Sequence, residues 1–414
     1  MADRARPITR RDVIEHLRAH DCAPSSGPMK VGIEQEWHTY DVARPARHLT
    51  PIEVLDAATA GGPLPRGSAV TVEPGGQVEL ATPPSDPWWG ALDAIRIDGA
   101  AVRARLAEAG LVAGGVGMDL FREPARTLTK PRYDAMQAYF DEWGPEGRRM
   151  MSSCASIQVN VDSGDAAALA RRWDVAHRIG PAMAAAFACS PGPLHRSERL
   201  ATWNGIDPTR TKPVLASGRL TEDWADYVLA ARLMLLHNAD DSCTPVAVPL
   251  TFGEWVDDGI AGRQPTIADL EYHCTTLFPP VRPRGWLEVR WLDCLPAGVA
   301  EVASAAVVAL LADEEAGQRA IEACATVDRV ASWTTTASLG TRDRDLADAA
   351  TATLLAAAGA LERSDAPAGW GEAVADAAER WPAKGRSPAD DLEDRLGAGA
   401  SALDLADPPE EVRW

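Results

Sequence analysis

The chain has 414 residues, 46% of them hydrophobic and 24% charged, with a formal net charge of -19. That length allows one large domain or two fused ones, and the balance is that of an ordinary soluble globular protein. So negative a chain excludes broad binding to nucleic acid or to an anionic membrane, although divalent cations can still offset charge locally for a nucleotide.

In chain order, "MADRARPITRRDVIEHL" is basic but lacks an apolar signal core, and no run approaches the roughly 20 apolar residues of a membrane span. The expected location is therefore the cytoplasm. Residues 9–20 predict a helix, with Val13, Ile14 and Leu17 as its stripe behind a Thr9 cap. "CAPSSGP" breaks the chain before "KVGIEQEWHTYD", where Val31, Ile33 and Trp37 favour a strand. Glu34 and Glu36 lie two apart on it, hence on one face. "TPIEVLDAAT" predicts a second helix. "AVTVEPGGQVELAT" predicts strand, turn and strand, with Pro74-Gly75-Gly76 turning between Glu73 and Glu79.

A long amphipathic helix is expected over 88–110, then a buried strand in "LVAGGVGMDL". "SSCASIQVNVD" is the next strand, with Gln158 and Asn160 on one face, and a helix follows from about Asp165 to Ala188. "SPGPLHRSERLATWNGIDPTRT" has no sustained period and reads as a long loop, a kind of segment that is often functional. "WLEVRWLDCLP" is the last clear strand, with Glu288 and Arg290 on one face. From Gly298 onward the patterns are Ala-rich and helical. The expected fold class is α+β: a catalytic body over 1–297 with a helical layer over 298–414 packed on the same domain.

Seven cysteines, at 22, 154, 189, 243, 274, 294 and 324, stand singly. The odd count and the lack of C-x-x-C suit a reducing compartment, where each is a small buried hydrophobe.

The acids carry the chemistry. Strand interiors disfavour Glu, yet Glu34, Glu36, Glu73, Glu79 and Glu288 all stand where their neighbours are apolar. Any one alone reads as a solvated surface acid. Converging on one sheet face, they would repel unless hard cations lay between them, and Mg²⁺ is the natural candidate. Gln158 and Asn160 offer neutral oxygens or amide donors beside them. Arg290 could clamp a carboxylate in bidentate fashion, or pair with Glu288. No P-loop, no G-x-G-x-x-G, no H-E-x-x-H and no G-x-S-x-G is present, which removes the common nucleotide, zinc and serine motifs.

Five motifs in order then resemble one family, the glutamate–cysteine ligases of the plant and proteobacterial type. They are "VGIEQEW", "VEPGGQVELAT", "KPRYDAMQAYF…GRRMMSSCASIQVNVD", "SERLATWNGIDPTRT" and "HCTTLFPPVRPRGWLEVRWLD", covering about residues 30 to 295. Trp291 departs from the acidic or small residue usual after the L-E-x-R arginine. The Ala-rich composition, as from a GC-rich actinobacterial genome, points to the branch that makes γ-glutamylcysteine for ergothioneine.

The resemblance implies a glutamine synthetase-like catalytic fold, a curved and largely antiparallel sheet whose concave face holds metal ions, ATP and glutamate. It implies Glu34, Glu36, Glu73, Glu79 and Glu288 as Mg²⁺ ligands, with Glu36 and Glu288 catalytic. Gln158, Asn160 and Glu73 would lie at the nucleotide end. Arg290 would grip a glutamate carboxylate or the transferring phosphate, and Arg199, Trp203 and Arg210 would belong to a substrate loop. The implied reaction joins L-cysteine to the γ-carboxylate of L-glutamate through a γ-glutamyl phosphate, with ATP and Mg²⁺, in a monomer or a homodimer. The readings set against it are a ligase joining glutamate to another amine, and a glutamate- or nucleotide-binding protein without turnover.

Overall fold

The axis of the fold is a strand of eleven residues, β1 (Val31–Asp41), seen in a computed structural model that describes residues 6–214, 217–260, 262–408 and 411. The other strands are β2 (Ala69–Val72), β3 (Val78–Ala81), β4 (Leu111–Gly114), β5 (Ser156–Asp162), β6 (Leu235–His237), β7 (Cys243–Pro245), β8 (Val281–Pro283) and β9 (Trp286–Asp293). Seven of them form one sheet in the order β2-β3-β1-β5-β9-β8, with β4 also on β1, and every pair in it is antiparallel. β1 is long enough to pair with β3 through residues 34–37, with β4 through residues 38–41 and with β5 through residues 31–35. β6 and β7 make a separate small hairpin.

The period-2 pattern of β1 assigns its two faces. Val31, Ile33, Gln35 and Trp37 are buried against helices, while Glu34 and Glu36 are only half-buried on the opposite face. Behind the buried face run the helices Trp89–Glu108 and Val299–Ala312. The second is mostly alanine and valine, and it is buried along nearly its whole length; small side chains let its backbone lie close to the sheet. Helices Ala166–Ala186, Arg344–Arg363 and Trp370–Arg380 join the same apolar cluster as the strands.

Helices appear close to where periodicity and caps placed them. Thr9 and Thr50 close capping boxes on Arg10–Ala19 and Pro51–Thr59, and Asp165 caps Ala166–Ala186. The segment expected to be a long loop is corrected: it contains the helices Glu198–Gly205 and Pro208–Thr211. Ser197 and Asp207 cap them, and each helix is too short to show a hydrophobic period. Helices Pro131–Asp141 and Glu146–Ser153 carry a second, smaller core rich in methionine, with Met118, Met136, Met150, Met151 and Met234.

The N-terminal helix and the turn after it brace the β8–β9 hairpin from behind. Gly285, at φ +81, donates its N–H to Asp21 O at 2.8 Å and accepts from Ser163 Oγ at 3.0 Å. Asp21 Oδ2 in turn accepts from Trp224 Nε1 at 2.9 Å. Among the described residues no helix is long and apolar enough to cross a membrane.

Candidate active site

Antiparallel register sets the open face of the sheet out in rows. Glu36 stands opposite Glu79, and Glu34 opposite Gln158. Gly32 faces Asn160, which faces Glu288, which faces Arg282. The last row is Asp162 with Trp286. A side-chain period of two puts all of these on one face, so five separate sequence segments supply one surface.

Above the first three rows is a cavity of about 240 Å³ lined by Glu34, Glu36, Glu73, Glu79, Gln158 and Glu288, with Arg132, Arg199, Arg282, Arg284 and Arg290. The opposite wall is apolar: Tyr133, Met136, Met150, Met151, Trp203 and Phe278. The cavity is therefore acidic on its floor, cationic toward β8 and β9, and thioether-lined under the methionine-rich core.

The turn carrying Glu73 is fixed by close packing. Gln77 Nε2 donates to Cys154 O at 2.7 Å, and Gly75 N–H donates to Gln77 Oε1 at 2.9 Å. A Cβ on Gly75 would lie 2.1 Å from Ser152 O, so only glycine allows this approach.

Four of the acids have little to neutralise them. Glu36 accepts from Ser156 N–H at 2.8 Å, Glu79 from Thr71 Oγ1 at 2.7 Å, and Glu34 from Asn160 Nδ2 at 3.1 Å. Burial pushes the Glu34 carboxyl up to about 7, with the charges of Glu288 and Glu79 adding to it. Burial likewise takes Glu73 to about 8, helped by Glu36 and Glu79. Glu36 and Glu79 are raised by the same cause, held back at Glu36 by Arg199 and Arg290.

Glu288 behaves in the opposite way. Burial opposes its charge, yet Arg282 and Arg290 outweigh that and hold its carboxyl well below the usual range. Its oxygens accept from Arg282 Nε at 2.7 Å and Nη2 at 3.1 Å, from Arg290 Nη1 at 3.0 Å, and from Arg284 Nη1 at 3.3 Å. Glu288 thus reaches the site as the centre of an arginine cage, so its oxygens are already committed. Arg290, expected either to clamp a ligand or to pair with Glu288, makes the pair and also donates to Gln158 Oε1.

The predicted substrate loop is divided. Arg199 and Trp203 line the cavity, with the guanidinium 5.9 Å from the indole centroid and Arg199 Nη2 donating to Arg290 O at 2.9 Å. Arg210 does not reach it. Its side chain is fully buried, donating to Asp207 Oδ2 at 3.0 Å, Thr276 O at 2.8 Å and Arg232 O at 2.6 Å. It joins loops beneath the site because three backbone and side-chain oxygens occupy its fork.

Arg132, Arg282, Arg284 and the methionine wall were not anticipated. For Arg282 and Arg284 the signal was available: they alternate in "VRPRGW" as the acids do in "GIEQEW". Arg132 Nη1 and Nη2 donate to the neutral Thr275 Oγ1 at 2.8 Å and Thr275 O at 2.9 Å, and among the described residues no carboxylate lies within 4.0 Å of it.

The donor set of the floor fits a hard divalent cation: carboxylate oxygens only, with pKa values raised by burial and mutual repulsion. Among the described residues no three acidic, histidine or cysteine side chains already converge as a cage. Mg²⁺ does not need one, since it is commonly held through one or two carboxylates, water and substrate phosphates.

Comparison with known proteins gives the family. The model of glutamate-cysteine ligase family 2 (GCS2) matches residues 30–407. The chain is 40% identical to the glutamate–cysteine ligase EgtA of Mycobacterium tuberculosis, over 91% of this chain and 88% of that one. It is 39% identical to EgtA of Mycolicibacterium smegmatis, over 95% and 94% of the two chains. Among solved structures, the glutamate–cysteine ligase of Francisella tularensis in complex with AMP matches with a TM-score of 0.56 and 12% identity, covering 92% of this chain and 88% of that one. At that identity the likeness concerns the fold, an antiparallel sheet with flanking helices.

Proposed function

The chain belongs to glutamate–cysteine ligase family 2, and from that premise we propose that it joins L-cysteine to the γ-carboxylate of L-glutamate at the expense of ATP. The observation that carries the reading is the division of one sheet face into a carboxylate floor and an arginine wall around a single cavity. An anionic donor must be brought against a polyanionic phosphate chain, and this face offers positive charge for the one and cation ligands for the other.

In the first step the γ-carboxylate of glutamate attacks the γ-phosphorus of ATP, giving γ-glutamyl phosphate and ADP. In the second the amine of cysteine attacks the acyl carbon, phosphate leaves with the electron pair of the broken C–O bond, and the proton shed by the nitrogen passes to the departing phosphate or to water. Glu34, Glu36, Glu73 and Glu79 would hold Mg²⁺, which supplies charge neutralisation for the phosphate oxygens when bound. Arg290, with Arg284 and Arg132 near it, orients carboxylate and phosphoryl oxygens, and Glu288 holds Arg282 and Arg290 in place for that task. The chain's part is orientation and electrostatics; no covalent nucleophile is required of it.

The likeness to the two mycobacterial ligases supports ergothioneine biosynthesis as the use of the product. We place the reaction in the cytoplasm, where all seven cysteines, free in the fold, would stay reduced. A coupled ADP assay with glutamate and Mg²⁺, with and without cysteine, and mass identification of the product tests the reaction. Cysteine-dependent ADP release with γ-glutamylcysteine formed is expected. ADP release that follows another amine instead would overturn the cysteine assignment.

A further inference from the structure

The row of the sheet face beyond the acids is built differently from the rest. Gly32 follows Glu34 and Glu36 on the same face of β1, so the strand there is bare of side chains. Beside it a cleft of about 170 Å³, lined mainly by carbon, is formed by Gly32, Ile33, Pro84 and Trp286, with Lys30 and Asp162 at its end. Glu34 borders both this cleft and the acidic cavity, so the two adjoin at that side chain.

Trp286 is 37% exposed, unusual for so large an apolar side chain on a central strand. Its orientation is nevertheless fixed. The indole Nε1 donates to Asn160 Oδ1 at 2.9 Å, Asn160 Nδ2 donates onward to Glu34, and the Arg284 guanidinium lies 5.3 Å from the ring centroid. An exposed aromatic plane, held rigid and joined by hydrogen bonds to an acid of the cavity floor, is suited to receive a flat ring.

From the row of Glu34 to the row of Trp286 the sheet advances four residues, about 13 Å at strand rise.

We propose that Trp286 is the nucleobase-stacking residue, with Gly32 leaving room for the base over β1 and Asn160 fixing the indole. The proposal rests on the ATP-dependent reaction above but concerns the base, which that reaction does not by itself locate. Phosphate recognition stays with the acids and arginines.

The test compares Trp286→Ala and Trp286→Phe with the wild-type chain, all in Mg²⁺ buffer. Calorimetric titration with ADP and with inorganic tripolyphosphate separates base from phosphate, and steady-state kinetics gives KM for ATP, glutamate and cysteine. Stacking on an aromatic ring is typically worth enough that its loss weakens ADP about tenfold or more. Trp286→Ala should therefore lose about that factor in ADP affinity and in KM for ATP, and Trp286→Phe should recover most of it. Tripolyphosphate affinity and the KM for glutamate and cysteine should stay within about twofold, since no stacking is removed there. ADP bound by Trp286→Ala as tightly as by wild type would overturn the assignment. So would tripolyphosphate weakened in step with ADP, which would mean that the indole only props up Asn160 and Glu34. Wild-type chain that binds ADP but forms no γ-glutamylcysteine would sink the reaction and leave the stacking role standing.

Discussion

Arg282 and Glu288 stand directly opposite each other across the β8–β9 pair, and two N–H groups of the guanidinium end on the two carboxylate oxygens at 2.7 and 3.1 Å. Both are buried, at 7% and 1% exposure. The pair is thus part of the sheet's own register, and Arg290 and Arg284 complete it from the same hairpin.

Removing the carboxylate should therefore cost stability as well as activity. Glu288→Ala leaves three guanidinium groups facing one another around an empty position. Breaking a buried pair in this way costs about 3–5 kcal/mol. Thermal denaturation should show a fall of several degrees, and an unchanged Tm would mean that water replaces the carboxylate without penalty.

Glu36→Gln should do the reverse. Burial raises the Glu36 carboxyl, so its charge costs the empty fold energy, and a glutamine oxygen can still accept from Ser156 N–H. The variant should be as stable as wild type or slightly more so. ADP release in the presence of glutamate and cysteine should drop about 100-fold or more, the scale for losing one electrostatic contributor to a transition state. Near-normal turnover would remove Glu36 from the site.

Arg290→Lys keeps the charge and loses the planar fork. Glu288, Gln158 and a ligand oxygen cannot then all be satisfied from one rigid group. The expected result is a fall in kcat/KM of about 100-fold with little change in Tm, of the order seen when a positioning contact is lost. If KM and kcat both survive, Arg290 serves only to hold Glu288.

Gly75→Ala tests whether the acid-bearing turn must sit where it does. The new methyl carbon would overlap backbone, Ser152 O at 2.1 Å, which cannot swing aside as a side chain would. Either the turn with Glu73 or the helix Glu146–Ser153 must move. Activity measured well below Tm should fall much further than stability does, and equal losses in both would point to global unfolding instead.

Asp407 gives a pH dependence remote from the cavity. Burial pushes its carboxyl up to about 7, with Arg103 pulling the other way and Glu301 adding to the rise. In the unfolded chain it ionises near 3.9, the ordinary value for aspartate. The folded state thus holds a proton that the unfolded state has lost between those pH values, and the stability contributed by Asp407 declines as pH rises from about 4 to about 7. Asp407→Asn keeps an acceptor for Ala297 N–H and never ionises. Its Tm should exceed that of wild type by about 1–3 °C at pH 8, with no advantage at pH 4. An advantage independent of pH would exclude ionisation as the cause.

Strand alternation made the acids legible before the fold was known, because Glu34/Glu36 and Glu288/Arg290 obey a period of two that only a strand can use. What alternation cannot give is which strands are neighbours. Hence the fate of Glu288 was not visible: the arginine that claims it lies on β8, a strand of three residues with proline at its end. Arg210 misled for the same reason in reverse. Its motif lies in a segment without periodicity, and only packing shows that its fork is consumed by Asp207, Thr276 and Arg232. The methionine wall was hidden because buried methionine in a short helix carries the same pattern whether it backs a cavity or fills a core.

The brace behind the β8–β9 hairpin has a consequence for anyone trimming the chain. Residues 30–407 match the family, so a shortened protein beginning at Lys30 would look whole. It would lack the carbonyl of Asp21 that receives the N–H of Gly285, and Trp224 would lose its acceptor. The hairpin so loosened bears Arg284, Trp286, Glu288 and Arg290. The first residues, far from the chemistry in sequence and outside the family's boundaries, thus act as a buttress for its most crowded wall, and because Val13 and Leu17 also belong to the main core their removal should cost stability together with ligand affinity.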